Sequence, residues 1–315
     1  MKTMVSIITP CYNARPYLPA TWRSIKRQTF TDWEWVIWED GSTDGSAEWL
    51  AELAKRDTRV RVFGGERTGR AGAGRNRCIL HSGGEFIAFL DADDLWHPLF
   101  LEKQLGTLKS HSSHAIAYCN MREFYSEAEK RATPPPRVWD RKDLGNEALR
   151  AVLEKGVATP FTFMMKREVF DTVGPFEEKL SYEDYEWTIR ALQRYSLIRT
   201  RGLLAAYRIH PSNSTKTWKK SFEGHELLYQ VLERKGLLKG QGGKAFRSVY
   251  ALRKLEHILD GHLNESANAA LVFAWYWWPA NLSRWILLSL LLVPRSKKGM
   301  LYRFLKTIQK KGDRE

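Results

Sequence analysis

Cysteine is scarce in this chain. The three present, Cys11, Cys78 and Cys119, lie far apart and form no CxxC pair. That excludes a disulfide framework and suits a reducing compartment. Long apolar runs are missing too. Residues 271–294 are rich in Trp and Leu, but Pro279, Asn281 and Arg284 interrupt them, and the run Trp285–Val293 is nine residues. A bilayer-spanning helix needs about 20. No apolar signal segment precedes the first strand-like run at Val5, so export is not expected and a cytoplasmic location is. There is no GxxxxGKS loop, no GxGxxG after the first strand, and no zinc, helix-turn-helix or RNA-binding motif. Neither a Ser-His-Asp nor a Cys-His arrangement is suggested. Acidic residues are outnumbered, 36 against 50 Lys and Arg, for a net charge of +14. Such a balance calls for an anionic partner. With no nucleic-acid motif, a phosphorylated substrate or an anionic lipid surface is the expected one.

What is present is an apolar fraction of 43% with 13 Trp, 12 Tyr and 14 Phe, ample for a packed core. Strand and helix signals alternate through the first hundred residues. Val5 to Ile8, Trp35 to Trp38, Val60 to Phe63 and Phe86 to Leu90 read as strands. Between them Leu18, Trp22 and Ile25, then Trp49, Leu50 and Leu53, recur at helical spacing, and a helix is read from Arg75 to Leu80. Such alternation indicates βαβ units and a mainly parallel sheet, whose ligands sit beyond the carboxyl ends of the strands. Further on, a helix follows Pro98 with Leu101, Leu105 and Leu108 on one face. Strands are read at 115–119, 161–165 and 203–209, and a helix opens at Tyr182. The charged stretch 126–142, with Pro134, Pro135 and Pro136, predicts a mobile surface loop. Beyond residue 217 the chain reads as helical. Its end carries nine Lys and Arg from Arg284 onward against Asp313 and Glu315. With Leu301, Leu305 and Ile308 on one face, it suits a helix lying on an anionic membrane surface.

The strongest signal for chemistry is Asp91-Ala92-Asp93-Asp94, directly after the buried run Phe86 to Leu90. Three carboxylates so close raise one another's pKa unless a cation lies between them. Hard oxygen ligands suit Mg²⁺ or Mn²⁺, which usually leaves room for a substrate phosphate. Asp94 could instead cap the next helix. Two other strand ends carry polar residues: Pro10-Cys11-Tyr12-Asn13 and Glu39-Asp40. Asp40 is placed to accept a hydrogen bond from a base imide, while Ser42 or Asp44 caps the helix that follows. Glu183-Asp184 opens a helix, where the macrodipole favours acids, and is a candidate general base. Arg75 beside Gly72-Ala73-Gly74 could reach a phosphate, and His210 could ligate a metal or touch a diphosphate.

Together these residues resemble the family-2 inverting glycosyltransferases of the GT-A fold, of the bacterial cell-surface polysaccharide type. The resemblance runs from Val5 to Ala14 through Ser24 to Phe30, Glu39 to Asp44, Ala73 to Asn76 and Gly84 to Asp94. It continues in Val173 to Phe176, Tyr182 to Tyr185 and Tyr207 to Pro211, covering about residues 4–215. It implies a Rossmann-like α/β domain over 1–217, with a nucleotide-sugar half to about 97 and an acceptor half to 217. A helical, basic extension over 218–315 would follow. It further implies that Pro10 and Tyr12 line a nucleobase pocket with Glu39 and Asp40, that Arg75 lies near the base or diphosphate, and that Asp91 and Ala92 face the nucleotide sugar. Asp93 with His210 would hold Mn²⁺ or Mg²⁺, Asp184 would be the catalytic base, and Glu183 and Trp96 would lie on the acceptor side. The donor would be a UDP-, dTDP- or GDP-linked sugar, and the acceptor a glycan or a lipid-linked glycan at the inner face of the cell membrane. Glu39 departs from the family, which more often has Asp there. Two rivals remain: a non-catalytic membrane-surface protein that retains the fold, and a nucleotidyltransferase. The latter would need a glycine-rich, lysine-bearing loop where Pro10 to Arg15 stands.

Overall fold

The computed structural model describes residues 4–125, 138–139, 147–155, 160–211, 213 and 218–259. Contacts divide the chain into two units: residues 1–152 with 156–217, and residues 153–155 with 218–315.

In the first unit the opening runs form strands because both faces of each are covered. Val5, Ile7 and Ile8 of β1 (Val5–Cys11) and Trp35, Val36 and Ile37 of β2 (Trp33–Glu39) are all fully buried. Buried β-branched and aromatic residues in unbroken runs are the signature of a parallel sheet between helical layers. β3 (Val60–Gly64) and β4 (Phe86–Phe89) complete the parallel set, in the spatial order β3-β2-β1-β4. The helices α1 (Leu18–Lys26), α2 (Ser46–Arg56) and α3 (Ala71–Leu80) connect them. Trp22 stacks on Trp35 at 5.7 Å, tying α1 to β2.

Beyond β4 the sheet becomes mixed. β8 (Phe163–Lys166) runs antiparallel between β4 and β6 (Ile116–Tyr125), β9 (Leu197–Ile209) runs parallel to β6, and β5 (Leu95–Trp96) closes that edge antiparallel to β9. The expected mainly parallel sheet therefore holds for the first half and gives way to a mixed one in the second. β9 begins six residues earlier than the apolar run at Leu203 suggests. Thr200 pairs with Cys119 and Leu203 with Asn120, so Arg201 and Gly202 bulge from the ladder. Gly202 sits at φ 118°, a conformation that favours glycine. Within 126–142, Val138–Trp139 is not loop but a short strand, β7, paired with Arg122 and Met121. The rest of that stretch lies outside the described residues. The remaining helices are α4 (Phe100–Ser110), α5 (Ala148–Lys155), α6 (Arg167–Val173) and α7 (Glu183–Leu192).

A polar lock sits where β1 and β4 begin. Ser6 Oγ donates to Glu34 Oε1 at 2.7 Å and accepts the Gly84 amide at 2.8 Å, while the Gly83 amide reaches Glu34 at 2.6 Å. A Cβ at Gly84 would stand 2.6 Å from Ser6 N and 2.9 Å from the Val5 carbonyl carbon. Backbone cannot yield that distance cheaply. Gly84→Ala is expected to cost about 1–3 kcal/mol, read as a thermal midpoint lowered by about 2–10 °C. An unchanged midpoint would show that the two strand starts are not in this contact.

The second unit contains α8 (Trp218–Arg234) and α9 (Gly240–Leu259). Tyr229 stacks on Tyr250 at 4.3 Å, and Arg247 forks onto Glu233 at 2.5 and 2.7 Å. No helix among the described residues is long and apolar enough to cross a membrane. The Trp-rich run 271–294 and the basic tail lie outside them.

Candidate active site

The carboxyl ends of β1, β2 and β4 converge where the strand order turns back on itself, the usual ligand crevice of such a sheet. The loops after β1 and β2 are clamped together. The Asn13 amide donates to Ser42 Oγ at 2.9 Å and Asn13 Oδ1 accepts the Thr43 amide at 2.8 Å. The Ala14 amide donates to Ser46 Oγ at 3.0 Å, and the Arg15 amide to Asp44 Oδ2 at 2.9 Å. Asn13 holds φ 47°, a left-handed conformation that Asn tolerates better than most residues. Asp44 also accepts the Ser46 amide, but the N-cap of α2 is Gly45 and no side chain caps the helix, so neither Asp44 nor Ser42 is its cap; Ser42 is spent on the β1 loop.

Asp40 is buried, and its carboxylate holds the loop before α3. Oδ1 accepts the Thr68 amide at 2.7 Å and the Trp38 indole at 3.3 Å, and Oδ2 accepts the Gly69 amide at 2.8 Å. A carboxylate offers about four lone-pair sites, so about one remains for a base. Glu39 is consumed differently. Its oxygens accept the Ser42 and Gly41 amides at 2.6 and 3.1 Å, so the added methylene anchors a turn. Tyr12 is exposed, with the Arg67 guanidinium 4.1 Å above its ring.

Glycines bring α3 into the crevice. A Cβ at Gly72 would stand 2.6 Å from Glu183 Cγ, and one at Gly74 2.9 Å from Pro10 Cβ. Without side chains there, the helix start approaches both. Arg75 then lands between two acids, with Nη2 donating to Asp91 Oδ1 at 2.7 Å and Nη1 to Glu183 Oε1 at 2.5 Å. Asn76 secures the arrangement by exchanging hydrogen bonds of 2.9 and 3.0 Å with the Phe176 backbone. Burial pushes the Asp184 carboxyl up to about 7, with the Glu183 charge adding to the rise and Arg75 opposing it. Glu183 is also raised by burial, while its bond to Arg75 favours the charged form.

The three acids after β4 part company. Asp91 faces Arg75. Asp93 Oδ2 lies 2.8 Å from His210 Nε2, and the Asp93 carbonyl accepts Arg208 Nε at 2.7 Å. Asp94 is fully buried, its Oδ1 accepting the Arg208 amide at 2.8 Å. Burial, then the charges of Asp93 and Asp91, raises its pKa well above the usual carboxylate range. Asp94 thus joins the β4 end to β9 and does not cap α4, which begins at Phe100 with no side-chain cap. His210 Nδ1 is buried without a hydrogen-bond partner among the described residues, and the ring packs on Tyr17 at 4.5 Å.

Residues 6–174, more than half of the chain, match the family model described as Glycosyl transferase family 2. The chain belongs to that family. The putative teichuronic acid biosynthesis glycosyltransferase TuaG of Bacillus subtilis is 40% identical over 111 residues, 35% of this chain and 44% of TuaG. This chain therefore matches less than half of that relative's length. The UDP-Glc:alpha-D-GlcNAc-diphosphoundecaprenol beta-1,3-glucosyltransferase WfgD of Escherichia coli is 29% identical over 214 residues, covering 67% of this chain and 79% of WfgD. Among solved structures, S. aureus TarS 1-349 in complex with UDP-GlcNAc superposes with a TM-score of 0.66 at 18% identity, covering 98% of this chain and 92% of that one. That likeness shows the shared fold.

Besides Glu39, whose oxygens hold a turn, two of the expected site residues of this family-2 glycosyltransferase are engaged elsewhere through their functional atoms. Trp96 is 4% exposed, its indole donating to the Phe161 carbonyl at 3.0 Å and its ring stacked on Phe100 at 3.9 Å. It belongs to the core and presents no open face to an acceptor. Ala92 is buried, and its carbonyl accepts Thr21 Oγ1 at 2.9 Å. Pro10, Tyr12, Asp40, Arg75, Asp91, Asp93, Glu183, Asp184 and His210 sit on or directly beside the β1, β2 and β4 ends, α3, the α7 start or the β9 end. Asn13, Asn76 and Arg208 position this group, and only their neighbourhood to the motifs signalled them.

Proposed function

We propose that this glycosyltransferase moves a sugar from a nucleoside-diphosphate sugar to a hydroxyl of a lipid-linked or cell-surface glycan, with inversion at the anomeric carbon. The observation that carries the reading is the placing of Asp184 on the first turn of α7, beside the Asp91–Arg75–Glu183 bridge, where burial pushes its pKa up to about 7. A base whose pKa lies near the working pH combines readiness to accept a proton with a useful ionised fraction. Asp184 takes the proton of the acceptor hydroxyl, and the freed oxygen attacks the anomeric carbon from the side opposite the departing diphosphate. The anomeric C–O bond to that diphosphate breaks as the new one forms. An α-linked donor then gives a β-linked product. WfgD, by its name, is a beta-1,3-glucosyltransferase that acts on a diphosphoundecaprenol-linked sugar, which supports a lipid-linked acceptor.

Asp93 and His210 would hold a divalent cation, Mn²⁺ or Mg²⁺. The donor set fits, since Asp93 Oδ2 and His210 Nε2 face each other. The unpartnered Nδ1 can take the ring proton and free Nε2 as a ligand. Among the described residues no three His, Cys, Asp or Glu are placed to hold one metal ion, so donor phosphates and water would fill the remaining positions. When bound, such an ion neutralises charge on the departing diphosphate. The mannosyltransferase PcManGT of Pyrobaculum calidifontis, in complex with GDP-Man and Mn2+, shares the fold with a TM-score of 0.55 at 19% identity, covering 100% of this chain and 89% of that one.

A panel of UDP-, dTDP- and GDP-sugars with Mn²⁺, read by thermal shift and then by product analysis, tests the reading. Free nucleoside diphosphate is expected. Pyrophosphate would indicate a nucleotidyltransferase, and no turnover with any donor and a polyprenyl-diphosphate sugar would favour a non-catalytic protein.

A further inference from the structure

Two acids far apart in sequence share one buried cation. The Arg75 side chain is 7% exposed and that of Glu183 5%, while Asp91 is 32% exposed. Both terminal nitrogens of Arg75 are engaged, and its Nε has no hydrogen-bond partner among the described residues. Asp91 and Glu183 are thus joined through one guanidinium.

We propose that Glu183 is a positioning residue for the transfer reaction. Through the Arg75 guanidinium that it shares with Asp91, it ties the readiness of Asp184 to accept a proton to what occupies the donor side of the site. This rests on the reading of Asp184 as the base. The charged groups that act on Asp184 are Glu183 on its own helix, Arg75 from α3 and Asp91 from the end of β4. Three carboxylates near one cation leave an excess of negative charge in a poorly solvated place, which makes ionising Asp184 costly. A hydroxyl of the donor that hydrogen-bonds to Asp91 would relieve Arg75 of half its load. The guanidinium would then neutralise Glu183 more fully and lower the cost of ionising Asp184. The base would be primed by the arrival of the donor. Gly72 makes room for the arrangement: a Cβ there would stand 2.6 Å from Glu183 Cγ, and without it Glu183 reaches Arg75.

The test is a titration of the whole protein labelled with ¹³Cγ-aspartate and followed by NMR, without substrate. The Asp184 signal is assigned by its loss in Asp184→Asn. In the unsubstituted protein its midpoint is expected near pH 7. Glu183→Gln should lower it by about one pH unit or more, and Asp91→Asn should lower it in the same sense. A purely structural role for Glu183 would loosen the fold without moving the midpoint. A Glu183→Gln midpoint equal to the unsubstituted one overturns the proposal. If Glu183→Gln does not fold, Asp91→Asn decides alone, and an unmoved midpoint there is equally fatal to it. Failure of the base reading looks different: Asp184→Asn would then still release nucleoside diphosphate at the normal rate, wherever its neighbours titrate.

Discussion

Asp184→Asn is expected to lower turnover by about 10²–10⁴-fold while nucleotide affinity stays nearly unchanged. The substitution keeps the shape of the side chain and the acceptor oxygen that meets the Tyr185 amide at 2.8 Å. What it removes is the capacity to take a proton. It also removes no contact from the Asp91–Arg75–Glu183 bridge, so the donor side should be undisturbed. Single-turnover assays beside calorimetric binding of the nucleoside diphosphate separate the two quantities. Ordinary turnover in the mutant would end the assignment of the base. Equal loss of binding and turnover would move Asp184 from the acceptor side to the donor side.

Asp93→Ala is expected to abolish the cation-dependent part of nucleoside-diphosphate binding. Charge-assisted contacts of this kind are worth about 1.5–3 kcal/mol, or roughly 10–100-fold in affinity. In the protein as it stands, affinity for UDP should rise by that factor when Mn²⁺ is added. In the mutant the two titrations should coincide, because His210 alone is left opposite the removed carboxylate. The Asp94 and Arg208 contacts that join β4 to β9 remain, so folding should survive. If affinity is the same with and without Mn²⁺ in the unsubstituted protein, Asp93 has no metal role to lose.

Much of this site was legible in the sequence because each strand end announces itself. An apolar run that stops at Asp91, or at Glu39-Asp40, can only stop where the sheet opens to solvent, and several such ends in a parallel sheet must meet. Residue type did not reveal which atoms were already spoken for. Glu39 looked like a ligand, and its oxygens already hold a turn. Asp94 looked like a helix cap and is a buried tie to β9. Trp96 sits in a two-residue strand, β5, too short to leave any periodicity, and its indole is claimed by Phe161, 65 residues away. The Arg75–Glu183 bridge spans 108 positions and depends on two glycines whose lack of side chains is visible only once α3 is seen against Glu183 and Pro10. The long β9 was hidden by Arg201 and Gly202, which interrupt its pattern without ending the strand.

The clamp between the β1 and β2 loops bears on the thermodynamics of recognition. Ordering one residue of a loose loop costs about 1–2 kcal/mol, and a pocket that had to be assembled around its ligand would surrender that much affinity for each residue frozen. Here Asn13, Ala14 and Arg15 are already pinned to Ser42, Thr43, Asp44 and Ser46. The entropy was surrendered when the chain folded. Under the proposed function, nucleotide capture by this wall would be preorganised, and its heat should reflect contacts made to the ligand and not a loop settling into place.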